Sequence, residues 1–208
     1  CCFFQDNGRQ TIFVIYKPFL IPDVKNLIEI WNELAKIEGI EGIHFIGHTE
    51  KSSNIESILN MGFNAVNVVR NGEYAHNRKL LKKILIPTIL YKLFKRPLKI
   101  SYALMIKYFV QNEENASNVY PSIIPNWDHT PRSGHKGSVF HNSTPELFAD
   151  HVKDVFNIVK DKEEEDKIIF LKSWNHASCS RVWITGMQWR FSAVISLRTC
   201  AYGRRRSP

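Results

Sequence analysis

The feature that most constrains the fold is an alternation of short apolar runs with helical patterns. Residues 11–16 (TIFVIY) and 42–47 (GIHFIG) are short, apolar and bounded by turn signals, as is typical of buried strands. Between them, Pro22 and Asp23 begin a segment in which apolar residues recur every three or four positions until Gly39, which predicts an amphipathic helix with these limits. A shorter helix is predicted over residues 54–60, before an extended segment at residues 63–69. This order predicts a parallel sheet or barrel with crossover helices.

The second half of the chain continues this alternation with longer connections. Residues 119–124 predict a strand that ends at Pro125, and residues 126–142 predict a loop dense in polar and aromatic groups. Thr144 followed by Pro145 predicts the N-cap and first position of a helix through about residue 160. Residues 168–171 (IIFL) predict another buried strand. The fold class expected from the residues is therefore α/β.

Charge is distributed unevenly along the 208 residues. The net charge is +8, yet all 20 acidic and 22 of the 28 basic residues lie before residue 176, so the body is nearly neutral. Residues 176–208 contain six Arg and no Lys, Asp or Glu. This basic tail either binds RNA or phospholipid or has a different origin from the body. Because the body is nearly neutral, we expect no nucleic-acid partner.

The cysteines and histidines do not have the spacing of a metal site. Cys1 and Cys2 are adjacent, Cys179 and Cys200 lie in the tail, and neither C-x-x-C nor H-x-x-x-H on a helix occurs. We therefore expect no metal, no cofactor and a reducing compartment.

Residues 80–110 combine large apolar side chains with Lys and Arg but contain no run long enough to span a bilayer. They form either a packed helical excursion or a peripheral contact with an anionic membrane surface.

Candidate binding residues follow the predicted strands. In a (β/α) barrel the reactive side chains come from the C-terminal ends of the strands, which here are residues 16–17, 47–48, 126–132 and 174–175. Aromatic rings there suit stacking on sugars, and the polar groups suit hydroxyls and phosphates. Each residue also has a structural explanation, since Trp174 can be core packing, Asp128 can cap its loop and Arg132 can bridge to a carboxylate. The substrate-binding candidates are Tyr16, Lys17, Trp127, Asp128, Arg132, Trp174 and Asn175.

The order of these segments resembles the WbsX-type family of glycosyltransferases, which are similar to glycoside hydrolase family 99 and occur in bacterial polysaccharide loci. The most specific matches are the W-D-x-T-P-R loop that starts at Trp127 and the strand that leads into Trp174-Asn175. The matching pieces are residues 7–18, 21–47, 120–134, 143–152 and 168–175. The resemblance implies the C-terminal part of a (β/α)8 TIM-type barrel, with the first strands upstream of Cys1.

The resemblance also implies a pair of catalytic carboxylates that this sequence lacks. In the family the last strand continues from W-N into an E-W-x-E-G motif, and glycosidic chemistry usually needs two carboxylates. Here Asn175 is followed by His176, Ala177, Ser178 and Cys179. We therefore assign no catalytic residue, expect negligible turnover, and hypothesise that residues 176–208 are a divergent basic tail read out of frame.

Together these inferences predict a carbohydrate-active domain at residues 1–175 and a separate tail at residues 176–208. The expected function is glycosyl transfer or glycoside hydrolysis in surface polysaccharide biosynthesis, of lipopolysaccharide O-antigen or capsule. The expected partner is a carbohydrate, presented as a nucleotide sugar or a lipid-linked glycan. The expected location is the cytoplasm, with peripheral contact to the inner face of the membrane through residues 80–110. The alternatives are a non-catalytic carbohydrate-binding remnant and an anionic membrane-surface binder.

Overall fold

The computed structural model describes residues 3–4, 11–75, 82, 89, 93–172 and 193–196, with only the backbone at residues 3–4, 73–75 and 193–196. The strands are β1 Phe3–Phe4, β2 Thr11–Ile15, β3 Ile43–Thr49, β4 Ala65–Val68, β5 Leu98–Ser101, β6 Val119–Tyr120, β7 Ser122–Ile123, β8 Ser138–His141, β9 Ile168–Leu171 and β10 Ala193–Ser196. The α-helices are α1 Val24–Ile37, α2 Ile55–Asn60, α3 Tyr102–Met105, α4 Thr130–Ser133 and α5 Pro145–Val159. Turns of 3-10 helix are Pro18–Leu20, Ser52–Asn54, Arg70–Ala75, Ile106–Tyr108, Asn112–Asn115 and Gly134–Lys136.

A series of parallel strands organises the molecule. The first sheet has the order β1-β2-β3-β4-β6, with β1 antiparallel to β2 and the other neighbours parallel. After Pro121 the chain continues as β7, which pairs in parallel with β9, and β10 runs antiparallel along the far side of β9. A separate parallel pair joins β5 and β8. The prediction of an α/β fold with parallel strands and intervening helices is confirmed. That these strands are the C-terminal part of a (β/α)8 barrel stays a prediction.

Helices α1 and α2 cover one face of the first sheet. Asp23 caps α1 by accepting a hydrogen bond from the backbone N–H of Asn26 at 3.3 Å, and Gly39 follows the helix with a φ of 75°. Both predicted limits of α1 are therefore confirmed. A Cβ added to Gly47 would overlap Cγ2 of Ile58, so α2 packs closely on β3 only because position 47 has no side chain.

Two segments differ from their sequence prediction. Strand β3 continues two residues beyond the predicted end because His48 and Thr49 still pair with residues of β4. The predicted loop at residues 126–142 contains α4 and β8. There the N–H of Phe140 donates to the carbonyl of Trp127 at 2.8 Å, so this backbone is hydrogen-bonded within the protein.

The region of residues 80–110 is described only in part. Residues 98–110 form β5, α3 and a 3-10 turn, whose apolar side chains pack with Ile124 and Phe140 in one core cluster. Most of residues 76–92 lie outside the described residues, so membrane contact through this region stays a prediction. In the part of the chain that the structure describes, no helix combines the length and apolar character needed to cross a membrane.

Candidate functional site

Polar side chains form a layer on the inner face of the parallel strands, which is the face opposite α1 and α2. This layer lies next to the C-terminal ends of the strands. Along each strand alternate residues point to the same face, and the inner face first carries a packed apolar layer of Ile46, Ala65, Tyr120, Ile168 and Phe170. Two residues further toward the C-terminal ends, the same face carries polar groups. This polar layer consists of Tyr16, His48, Asn67, Ser122 and Lys172.

Hydrogen bonds within the polar layer fix the proton on His48. The side-chain Nδ2 of Asn67 donates to the carbonyl of Tyr120 at 3.0 Å and to Oγ of Ser122 at 2.9 Å, which identifies the other amide atom as the acceptor Oδ1. Nδ1 of His48 lies 2.8 Å from that Oδ1 and must donate to it. In the neutral imidazole, Nε2 is then left with a lone pair.

Burial keeps the His48 imidazole neutral. The side chain is almost fully buried, and burial together with the charge of Lys172 lowers the pKa of His48 to about 4, against the opposing effect of its hydrogen bond to Asn67. The ring stacks on Tyr16 with a centroid distance of 4.7 Å and an interplanar angle of 16°. His48 is therefore a neutral hydrogen-bond acceptor at Nε2 near physiological pH.

Lys172 directly follows β9, and two aromatic rings lie near its side-chain ammonium. Its Nζ is 5.6 Å from the ring centre of Trp127 and 6.0 Å from that of Tyr16, distances at which a cation interacts with an aromatic face. Nζ also lies 3.9 Å from Oε1 of Glu50, and the Lys172 side chain is only 14% exposed. Burial lowers the pKa of Lys172, and the Glu50 carboxylate opposes this shift.

Two clefts open beside these residues and share Tyr16 and Glu50. The first, the Trp127 cleft, has a volume of about 390 Å³ and is lined by Tyr16, Glu50, Asn71, Gly72, Trp127, Asp128, His129, Pro131, Arg132 and Ser138. The second, the Lys17 cleft, has a volume of about 490 Å³ and is lined by Tyr16, Lys17, Pro18, Phe19, Leu20, His48, Thr49 and Glu50. Both volumes lie in the range of small-molecule sites.

Local hydrogen bonds shape the wall of the Trp127 cleft. Oδ1 of Asp128 accepts from the backbone N–H of Thr130 at 2.7 Å and from its hydroxyl at 2.6 Å, so this carboxylate caps the first turn of α4. The Trp127 ring stacks on His129 at 5.7 Å. Arg132 is exposed on α4 at the cleft, and its charge lowers the pKa of the Tyr16 phenol, although burial and Glu50 give a net increase.

A buried ion pair supports the opposite wall. Arg70 follows β4 and is 2% exposed; its Nε and Nη2 lie 2.8 and 3.0 Å from the two oxygens of the fully buried Glu114. Nη2 also lies 3.1 Å from Glu113. This two-point contact holds the chain where Asn71 and Gly72 enter the cleft lining.

The structure brings most of the predicted binding residues together. Tyr16, Trp127, Asp128 and Arg132 line the Trp127 cleft, and Tyr16 and Lys17 line the Lys17 cleft. Trp174 and Asn175 lie outside the described residues, so their placement stays a prediction.

Sequence reasoning missed Glu50, Asn67 and Lys172. Lys172 directly follows a predicted strand and was recognisable from that position alone. Asn67 and Glu50 required the register of β3 against β4, which extends β3 to Thr49.

The arrangement offers aromatic faces, one exposed carboxylate and several cations around two connected clefts, which suits a polyhydroxylated ligand. Among the described residues, no group of three or more His, Cys, Asp or Glu is placed to hold a metal ion. A family model described as Glycosyltransferase WbsX matches residues 3–180. No curated protein and no solved structure matches the chain.

Proposed function

Because this chain belongs to the WbsX glycosyltransferase family, we propose that it binds glycans of bacterial surface polysaccharides in the Trp127 and Lys17 clefts. Family membership supports a role related to glycosyl transfer. In more specific terms, the target is an O-antigen or capsular polysaccharide, and the bound ligand is a nucleotide sugar or a lipid-linked glycan. The protein acts on the cytoplasmic side of the membrane.

One observation carries the proposal: the aromatic rings of Tyr16 and Trp127 both lie near the Lys172 ammonium, beside the C-terminal ends of parallel strands. An aromatic face packs against the apolar C–H surface of a sugar ring, while hydroxyls need polar partners around the edge. Glu50, Arg132 and Lys17 supply such partners in the cleft linings. In barrel enzymes the active site lies at the C-terminal ends of the parallel strands. The position of the two clefts agrees with such a barrel, but the glycan-binding proposal does not depend on it.

We further propose that the 208-residue chain binds its glycan without appreciable turnover. The sequence after Asn175 lacks the two glutamates expected from the family pattern, and glycosidic bond chemistry usually employs a carboxylate pair. Of the two carboxylates in the Trp127 cleft, Asp128 already caps α4 through its Oδ1. The separate tail at residues 176–208 stays a prediction; within it, β10 pairs with β9 of the domain.

The test measures binding of the purified chain to a panel of bacterial surface glycans, with the Trp127→Leu variant alongside. Leucine keeps apolar contact with the neighbouring core cluster but removes the aromatic face, so we expect at least a tenfold loss of affinity with little change in melting temperature. Phe156→Ala is the matched control, since Phe156 is an exposed aromatic on α5 away from both clefts. Wild-type failure to bind any glycan, or equal binding by Trp127→Leu, contradicts the proposed site. Measurable glycosyl transfer or hydrolysis contradicts only the absence of turnover.

A further inference from the structure

His48 presents a buried acceptor that lacks a hydrogen bond within the described residues. Its Nδ1–H donates to Asn67, and the lone pair of its Nε2 receives no hydrogen bond from those residues. Leaving a buried acceptor unpaired is unfavourable, because the group has lost its hydrogen bonds to water without a replacement. A donor from a bound molecule would satisfy it.

Lys172 presents the complementary buried donor. Among the described residues, its Nζ has no hydrogen-bond partner, and the nearest carboxylate oxygen, Oε1 of Glu50, lies at 3.9 Å. The two aromatic rings beside Nζ attract its charge but cannot accept three N–H bonds. An acceptor from a bound molecule would satisfy this group.

The two unpartnered atoms belong to one place in the molecule. The His48 ring stacks on Tyr16, the Lys172 ammonium lies near that same ring, and the Lys172 charge lowers the pKa of His48. Tyr16 itself is 57% exposed and lines both clefts. Tyr16 therefore lies beside both groups and is itself accessible to a ligand in either cleft.

The pairing of a donor with an acceptor selects the ligand chemistry. A carboxylate or sulfate oxygen can accept from Lys172 but has no proton to donate to Nε2, and the Nε2 lone pair repels it. A hydroxyl group satisfies both, because it donates one hydrogen bond and accepts others. The subsite therefore favours a neutral sugar hydroxyl over an oxyanion.

We infer that His48 and Lys172 form a hydroxyl-recognition subsite behind Tyr16, in which a sugar hydroxyl donates to Nε2 of His48 and accepts from Nζ of Lys172. This inference rests on the proposed function and makes it more specific, since it names the groups that orient the sugar. Tyr16 turns aside as the ring enters and then packs against it. The subsite determines which sugar stereochemistry the clefts accept.

The experiment uses the full chain and three neutral probes, methyl α-D-mannopyranoside, methyl β-D-glucopyranoside and methyl α-D-galactopyranoside, with sulfate, which carries no proton near neutral pH, as the anionic probe. Binding is measured by calorimetry and by the ¹⁵N resonance of His48 Nε2, which reports hydrogen bonding at that atom. The variants are His48→Phe, which keeps an aromatic ring against Tyr16, and Lys172→Met, which keeps an unbranched apolar stem. The matched controls are His141→Phe and Lys153→Met at exposed positions away from the clefts.

We expect at least one neutral glycoside to shift the Nε2 resonance, sulfate to leave it unchanged, and each variant to bind that glycoside about tenfold more weakly than its control. The double variant should lose less than the product of the two single losses, because both groups hold one hydroxyl. Unchanged affinity in both variants, with binding still lost in Trp127→Leu, overturns the subsite but leaves glycan binding intact and implies that only water fills the space. A sulfate-induced shift without a glycoside-induced one overturns the hydroxyl assignment. Failure of every neutral glycoside and every surface glycan to bind overturns the proposed function itself.

Discussion

Lowering the pH should destabilise this protein through His151, a fully buried histidine on α5. The Nε2 of His151 accepts a hydrogen bond from the backbone N–H of Ile124 at 3.2 Å, and its ring contacts Phe109 at a centroid distance of 5.0 Å. Burial lowers the pKa of His151 to about 4. Protonation would remove the acceptor lone pair and place a charge in an apolar environment.

The sign and size of the effect follow from the two pKa values. The unfolded chain protonates this histidine below about pH 6.5, whereas the folded protein does so only below about pH 4, so the unfolded state binds more protons between these values. Stability is therefore fully present above pH 6.5 and is lost as the pH falls through this window. Between pH 7.5 and 4.5 a single such group reduces the free energy of unfolding by about 2 kcal/mol.

The assay is urea unfolding at pH values from 4.5 to 7.5, for wild type, His151→Gln and His151→Leu. Glutamine offers an oxygen acceptor for the Ile124 N–H and does not titrate, so its stability should fall by about 2 kcal/mol less than that of wild type on acidification. Leucine should show the same shallower slope but start about 1–3 kcal/mol lower at pH 7.5, because the Ile124 N–H loses its acceptor.

His48 contributes a loss of the same sign in every one of these proteins, so the comparison isolates His151. Parallel pH curves for wild type and His151→Gln would refute the reasoning.

Substitutions at three further positions test the fold by their effect on the free energy of unfolding in urea. Gly47→Ala should destabilise by about 1–3 kcal/mol, because the added methyl group meets Ile58 of the packed helix α2; an unchanged midpoint would mean that α2 lies further from β3. Glu114→Ala should cost about 3–5 kcal/mol by leaving Arg70 buried without its principal partner, and a loss below 1 kcal/mol would contradict the buried pair. Thr144→Ala should cost about 1 kcal/mol by removing the N-cap of α5, whereas Thr144→Ser should be nearly neutral.

Local sequence signals predicted the elements whose limits are set by local chemistry. Asp23 and Gly39 delimit α1, Thr144 and Pro145 start α5, and each of these residues acts through its own backbone or a bond three positions along the chain. The β5–β8 pair could not be predicted in this way. Its register depends on segments about forty residues apart and on backbone bonds inside the region predicted as a loop.

The site shows the same division between local and non-local information. Tyr16, Lys17 and Trp127 were candidates because they follow predicted strands, and strand ends are local features. The structure places them in the cleft linings, and their role in binding stays a prediction. The importance of Lys172 depends on two rings that are distant in sequence, and the importance of Asn67 depends on three neighbouring strands. The order of apolar and polar residues along the chain does not show which distant side chains meet. That depends on how the strands are aligned with one another in the sheet.

The wall that the two clefts share has a consequence for how this protein can diversify. Tyr16 and Glu50 belong to both linings, so neither cavity can be reshaped at those positions independently of the other. A change that adapts one cavity to a new ring alters the fit of whatever occupies its neighbour. Independent variation is left to residues that line one cleft alone, such as residues 17–20 on one side and residues 127–132 on the other.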